Sequence, residues 1–204
     1  MSPSTSLRMK LLLASRSSAR RRMLEAAGVA FETATATLDE EEAKAGLAAA
    51  GFEPRDMAEM LSELKAKSVA GGDALVIGAD QTLELDDGTM LSKPVSRQDA
   101  ADQLRRMSGR SHFLHSGAVV AEGGERVWGV TESVRLDVRP LGETFINDYL
   151  DREYEAVRFN VGGYRIEGLG AQLFESIEGS HFAILGLPLL PLLAYLRERG
   201  LVTD

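Results

Sequence analysis

The sequence predicts an α/β fold, and three observations lead there. Short apolar runs of strand length, at residues 11–14 and 74–79, alternate with stretches of helical periodicity. Met57, Met60, Leu61 and Leu64 recur at the spacing of one helix face. Glycines and turn-forming residues mark the boundaries, and strand and helix go on alternating to the C-terminus.

In order along the chain, residues 1–8 read as a loose extension. Residues 11–14 are a short buried strand, and 18–27 a helix ended by Gly28. Residues 31–37 are rich in β-branched side chains and predict a strand. The acidic run 39–42 reads as a solvated helix start. Residues 54–70 form a helix, closed by Gly71-Gly72, and 74–79 form a continuous apolar strand. Asp86-Asp87-Gly88 has the composition of a hairpin turn. Residues 96–107 are a helix opened by a capping box of Ser96 and Asp99, with Ala100, Leu104 and Met107 facing the core. Strands follow at 113–121 and 127–137, joined across Gly123-Gly124. A helix at 141–150, a glycine-rich loop at 162–170, a strand at 173–177 and a closing helix at 189–199 complete the chain.

Composition narrows the function classes. The chain has 204 residues, 44% hydrophobic and 26% charged, enough to bury a core without staples. No cysteine is present, so disulfides, thiolate metal sites and a cysteine nucleophile are excluded. A formal net charge of -8 argues against broad nucleic-acid binding but leaves room for a local basic pocket. The longest apolar stretch, 185–196, is too short to span a bilayer and contains two prolines. At the N-terminus, Arg20-Arg21-Arg22 follows the apolar run instead of preceding it, against a signal peptide. A cytoplasmic location is expected.

Several segments carry chemistry. Ala14-Ser15-Arg16-Ser17-Ser18-Ala19-Arg20 lies between a strand and a helix, where α/β folds bind ligands. Hydroxyls, arginines and unpaired helix amides there suit a phosphate, although the segment alone reads first as a helix cap with a solvated basic turn. Asp80, after an apolar strand and a Gly-Ala pair, suits a metal ligand, a general base or simply the start of a turn. Lys65, Lys67 and Lys93 are ordinary surface lysines in isolation. Together with Asp80 and Glu40 they would supply the cations and carboxylates that phosphoanhydride cleavage needs. In Gly162-Gly163-Tyr164-Arg165-Ile166-Glu167-Gly168, glycines permit close backbone approach, and Glu167 could accept hydrogen bonds from a base. No Walker loop occurs, and His112, His115 and His181 lack zinc-protease spacing and read as structural or surface residues.

Taken together, LLLASRSSARRRMLEAAGVAFE, LDE at 38–40, KAKSVA, VIGADQTL, LSKP, RMSGRSHFLHSGAVV, GGYRIEGLGAQLFESIEGS and LGLPLLPLL resemble the Maf family of nucleotide pyrophosphatases, in the family's order. The resemblance implies a mixed twisted sheet with flanking helices, of the Maf and inosine-triphosphate-pyrophosphatase type. It implies a single two-lobed domain over 9–204 around a deep cleft, a homodimer in many members. It implies hydrolysis of a nucleoside triphosphate between the α- and β-phosphates with Mg²⁺ or Mn²⁺. Asp80 aligns with the catalytic base, and Ser17, Arg20, Glu40, Lys65 and Lys93 with the phosphate- and metal-site residues; Glu40 and Asp80 are the implied metal ligands. Gln81 and Glu167 match the branch acting on 7-methyl-GTP, where thymidine and uridine triphosphate members carry threonine and glutamine. Ser18 stands where the family has proline, and Ala19 occupies a substrate-linked position that holds an aromatic residue in some 7-methyl-GTP members. The competing readings are a dTTP/UTP-preferring pyrophosphatase and a nucleotide sensor linked to septum formation.

Overall fold

A computed structural model describes residues 10–203. The predicted extension at 1–8 lies outside the described residues. One mixed sheet runs in the order β2-β1-β3-β5-β6-β7, with β4 paired to the far half of β3. Its strands are β1 Leu11–Ala14, β2 Glu32–Thr33, β3 Leu75–Leu85, β4 Met90–Leu91, β5 Ser111–Glu122, β6 Glu125–Val138 and β7 Phe174–Glu178. The helices are α1 Ser18–Ala26, α2 Glu40–Ala49, α3 Pro54–Lys67, α4 Arg97–Met107, α5 Glu143–Val157, α6 His181–Ile184 and α7 Leu189–Glu198.

The long strand β3 organises the molecule. Its first half pairs parallel to β1, from Leu11↔Leu75 to Ala14↔Gly78, and its far half pairs antiparallel to β4 at Leu83↔Leu91. Its other edge is covered along its whole length by β5. Between Gly78 and Leu83, therefore, the β1/β4 edge of β3 has no strand neighbour among the described residues, and that gap holds Asp80. Alternation along β3 sends Val76, Gly78 and Asp80 to the α3 face. Leu75, Ile77 and Ala79 go to the opposite face, packed with Leu24 of α1 and Leu192 and Leu196 of α7. The far half contributes Leu83 and Leu85 to a second core with Leu104 of α4 and Ile146 and Leu150 of α5.

Two glycines let α3 lie directly on the sheet. A Cβ at Gly78 would sit 2.0 Å from the Ser62 carbonyl oxygen, and one at Gly117 2.6 Å from that of Ala58. The facing stripe of α3, Ala58, Ser62 and Ala66, is equally small and fully buried.

Several boundaries differ from the sequence reading. The strand expected at 74–79 continues through Asp80, Gln81 and Thr82. These polar residues are satisfied in place: the Asp80 amide donates to Ser62 Oγ (2.9 Å) and Thr82 Oγ1 donates to the Pro54 carbonyl (2.7 Å). The strand expected at 31–37 is reduced to Glu32 and Thr33, because the four-residue β1 offers no longer edge to pair with. The acidic run opens a full helix, α2, and α5 extends seven residues beyond the expected end at 150, to Val157. The short helix α6 was not anticipated. The Ser96 cap accepts from the Asp99 amide as expected, while the Asp99 carboxylate returns to the Val95 amide and not to that of Ser96. The β5–β6 hairpin turns at Gly123-Gly124, both at positive φ (58° and 83°), a conformation that favours glycine.

Candidate active site

The gap beside β3 opens into a cleft of about 710 Å³. Every site residue named from the sequence lines it: Ser17, Ala19, Arg20, Glu40, Lys65, Asp80, Gln81, Lys93 and Glu167. Only Lys67 stays out, paired with Glu63 at 2.8 Å on the α3 surface.

Asp80 lies at the centre of this arrangement and is buried. Its Oδ1 accepts from the Gln81 amide (2.8 Å), and its Oδ2 is 2.9 Å from the Lys65 ammonium. That Oδ2 contact is an ion pair, and no well-directed hydrogen bond completes it. Burial by itself would raise the Asp80 pKa. The charges of Lys65 and Arg20, with the close approach of the Lys65 ammonium and the hydrogen bond from the Gln81 amide, outweigh it and hold the carboxyl below its ordinary value.

Glu40 reaches the same ammonium, 3.2 Å from Lys65 Nζ. The acidic run thus divides its labour. Asp39 caps α2, its Oδ1 accepting from the Glu41 and Glu42 amides at 3.1 Å each. Glu40 turns inward with its side chain 25% exposed, and Glu41 stays in solvent.

Arg20 is buried and held in position. Its Nε donates to the Gly186 carbonyl at 2.6 Å, and a terminal nitrogen donates to Ser15 Oγ at 3.3 Å. Burial lowers its pKa, and the Asp80 and Glu40 charges offset part of the effect; a guanidinium so placed remains charged. Ser17 is the N-cap of α1, its Oγ accepting from the Arg20 amide at 3.3 Å. The capping and site readings of this loop therefore hold together. Lys93 enters from the loop after β4. Partial desolvation at the cleft wall is the main cause of its lowered pKa, against the attraction of Glu40.

Gln81 projects to the opposite face and anchors α6. Its amide nitrogen donates to Ser116 Oγ (2.9 Å) and to the Ala183 (2.9 Å) and Ile184 (3.1 Å) carbonyls. Glu167 and Arg165 form the far wall, with Arg165 paired to Glu153 at 2.9 Å.

Sequence reasoning missed Phe159 and Asn160, which also line the cleft. Phe159 is 64% exposed, with the Arg158 guanidinium 4.8 Å from its ring centroid, and it follows the end of a helix with no local signal of a site.

The cleft walls carry Arg16, Arg20, Arg22, Lys65, Lys93 and Arg165 against Glu40, Asp80 and Glu167. Within a chain of net charge -8, this concentrates positive charge at one place. An α/β sheet with a cationic cleft at a strand gap, and two carboxylates converging at its floor, defines a protein that binds a polyphosphate anion. The family model described as Maf-like protein matches residues 10–199, and the chain belongs to that family. A nucleoside triphosphate pyrophosphatase from Sphingopyxis alaskensis is 50% identical over 195 residues, covering 95% of this chain and 98% of its own. A 7-methyl-GTP pyrophosphatase from Rhizobium meliloti is 47% identical over 195 residues, covering 94% and 97%. A solved nucleoside-triphosphatase / dITP/XTP pyrophosphatase from Mycobacterium abscessus, 17% identical with a TM-score of 0.45, aligns over 95% of this chain and 96% of its own, a distant likeness.

Proposed function

We propose that this chain is a cytoplasmic nucleoside triphosphate pyrophosphatase. It hydrolyses the α–β phosphoanhydride of a free nucleotide to the monophosphate and pyrophosphate. The observation that carries this reading is the buried, ionised Asp80 facing Lys65 and Arg20 at the floor of a cationic cleft. Asp80 takes a proton from water, the water oxygen adds to phosphorus, and the bridging oxygen leaves with pyrophosphate. Arg20, Lys65 and Lys93 neutralise the phosphate oxygens as charge shifts onto the leaving group.

A divalent ion fits the donor set. Asp80 Oδ2 and Glu40 Oε1 approach the same point, and Asp80 Oδ2 is short of a directed donor. Mg²⁺ is commonly held by one or two carboxylates plus substrate phosphates, and Mn²⁺ accepts the same hard oxygens. Bound by Asp80 and Glu40, the ion would lower the pKa of water and screen the phosphates. Lys65 would then turn from the carboxylates to the phosphate chain.

The preferred substrate in this reading is 7-methyl-GTP. Glu167 accepts from guanine N1–H and N2–H₂, a donor edge that a pyrimidine lacks. Gln81 acts by fixing α6 against the cleft. The direct test is pyrophosphate release from 7-methyl-GTP, GTP, dTTP and UTP with Mg²⁺ or Mn²⁺. Release highest with 7-methyl-GTP is expected. Highest release with dTTP or UTP removes the base assignment alone, and no release from any of them removes the hydrolase reading.

The pH profile follows from the Asp80 shift. A depressed carboxyl pKa keeps the base ionised down through the ordinary carboxylate range, so Asp80 should contribute no acidic limb to kcat/KM above roughly pH 4. The stability that the ionised form contributes is complete above the unfolded-state value and is lost as pH falls through the folded one. An acidic limb between about pH 5 and pH 7 beyond the one given by the nucleotide's own terminal phosphate, whose second pKa is about 6, would place the base elsewhere.

A further inference from the structure

The cleft does not end at Glu167. A second cavity of about 680 Å³ adjoins it and shares Ala19, Arg22, Arg165, Glu167 and Leu185 as walls. Beyond those shared residues its lining is wholly apolar, with Met23 and Ala26 of α1, Phe182 of α6, and Leu190 and Leu193 of α7 among it. Leu190 is 60% exposed on a helix whose Leu189, Leu192, Leu193 and Leu196 are buried, so this apolar surface is open to solvent.

The shared walls order the three regions. Asp80, Lys65, Arg20 and Lys93 line only the first cavity, the shared residues stand between, and the apolar groove lies beyond them. In the nucleotide reading of the cleft, the phosphates lie among the cations and the N1–H and N2–H₂ edge of guanine meets Glu167, so that edge is the one that faces the groove. Ala19 stands at the junction, and its single methyl group leaves the passage open where a large side chain would close it.

We propose that this groove is a substituent pocket, and that the protein prefers purine nucleotides whose base carries, on the edge that meets Glu167, an apolar group larger than methyl, such as N2-alkylated or N2-benzylated guanine. This rests on the nucleotide reading of the cleft and extends it to a class of substrate. The occupant is part of the same ligand, because the groove has no polar lining of its own and its polar rim is the wall of the nucleotide cleft.

The test is calorimetric titration of the whole protein with GMP, N2-methyl-GMP and N2-benzyl-GMP. None of these contains an anhydride bond, so binding is read apart from turnover. We expect N2-benzyl-GMP, which keeps one N2–H for Glu167, to bind at least about tenfold tighter than N2-methyl-GMP, from the apolar area it buries. Ala26→Trp fills the groove from an exposed position at the end of α1, and should abolish that preference while N2-methyl-GMP binds as to wild type. Leu190→Lys provides a second, surface-neutral check and should weaken only the benzyl compound. Equal affinity for the benzyl and methyl compounds, or a preference that survives Ala26→Trp, overturns the proposal. So does a wild-type dimer in sedimentation that Leu190→Lys dissociates, since a second copy would then fill the groove. Pyrophosphate release from GTP and 7-methyl-GTP, measured in parallel, separates the two failures. Release without benzyl preference removes the pocket alone, whereas benzyl preference without release removes the hydrolase reading and keeps the pocket.

Discussion

Asp80→Asn is expected to reduce turnover by on the order of 10²–10⁴-fold, the usual contribution of a positioned general base, while nucleotide binding persists. The substitution keeps the side chain's volume, and its amide oxygen can still accept from the Gln81 N–H that Asp80 Oδ1 now serves. Lys65 keeps Glu40 as a partner, so no buried ammonium is left without a counter-charge. What the variant loses is a group able to take a proton, together with one of the two carboxylate charges that would hold the divalent ion. The measurement pairs single-turnover pyrophosphate release with a binding titration. Normal turnover in the variant would show that Asp80 is not the base, and loss of both turnover and binding would show that its charge organises the phosphate site instead.

Gly78→Ala is expected to destabilise the fold by about 1–3 kcal/mol or more, as overpacking does in a close-packed core. For a chain of this size each kcal/mol lowers the melting temperature by roughly 2–4 °C. The new methyl would lie 2.0 Å from the Ser62 carbonyl oxygen and 2.5 Å from the Ala66 amide nitrogen, both helix backbone. A flexible side chain could turn away from it, but α3 must shift bodily. That shift would carry Ser62 from the Asp80 amide and Lys65 from the Asp80 carboxylate, so activity should fall with stability. Gly46→Ala, inside α2 with nothing within 4 Å of the new Cβ, is the counterpart. It should stabilise by about 0.4–1 kcal/mol through the unfolded chain. A Gly78→Ala variant that melts with wild type would mean that α3 does not rest on β3 as described.

Some of this was legible in the chain itself. The α/β alternation, the hairpin at Gly123-Gly124, the Ser96 cap and the closing leucine helix are local patterns, set by periodicity and turn chemistry within a few residues. The residues with phosphate chemistry could also be named, because their types and order along the chain are characteristic even though they lie up to 150 positions apart, from Ser17 to Glu167. Only the tertiary structure could decide what each one does. Asp80 looked like the end of a strand because the apolar run stops there. The strand continues because Ser62, on a helix 18 residues away, satisfies its amide. Within the run 39–42 only the family resemblance singled out Glu40, and the packing of α2 on Lys65 gives the physical reason that this acid enters the cleft. Gln81 became the anchor of α6 through carbonyls more than a hundred residues distant. The opening from the cleft into the groove between α1 and α7 exists only once both helices are packed on the sheet. Periodicity and turn chemistry are short-range and leave their mark on neighbouring residues, whereas partners brought together by chain closure have no counterpart in local sequence. The sequence by itself therefore determined the elements and the chemistry available, and the packing of α3, α6 and α7 on β3 decided how that chemistry is arranged.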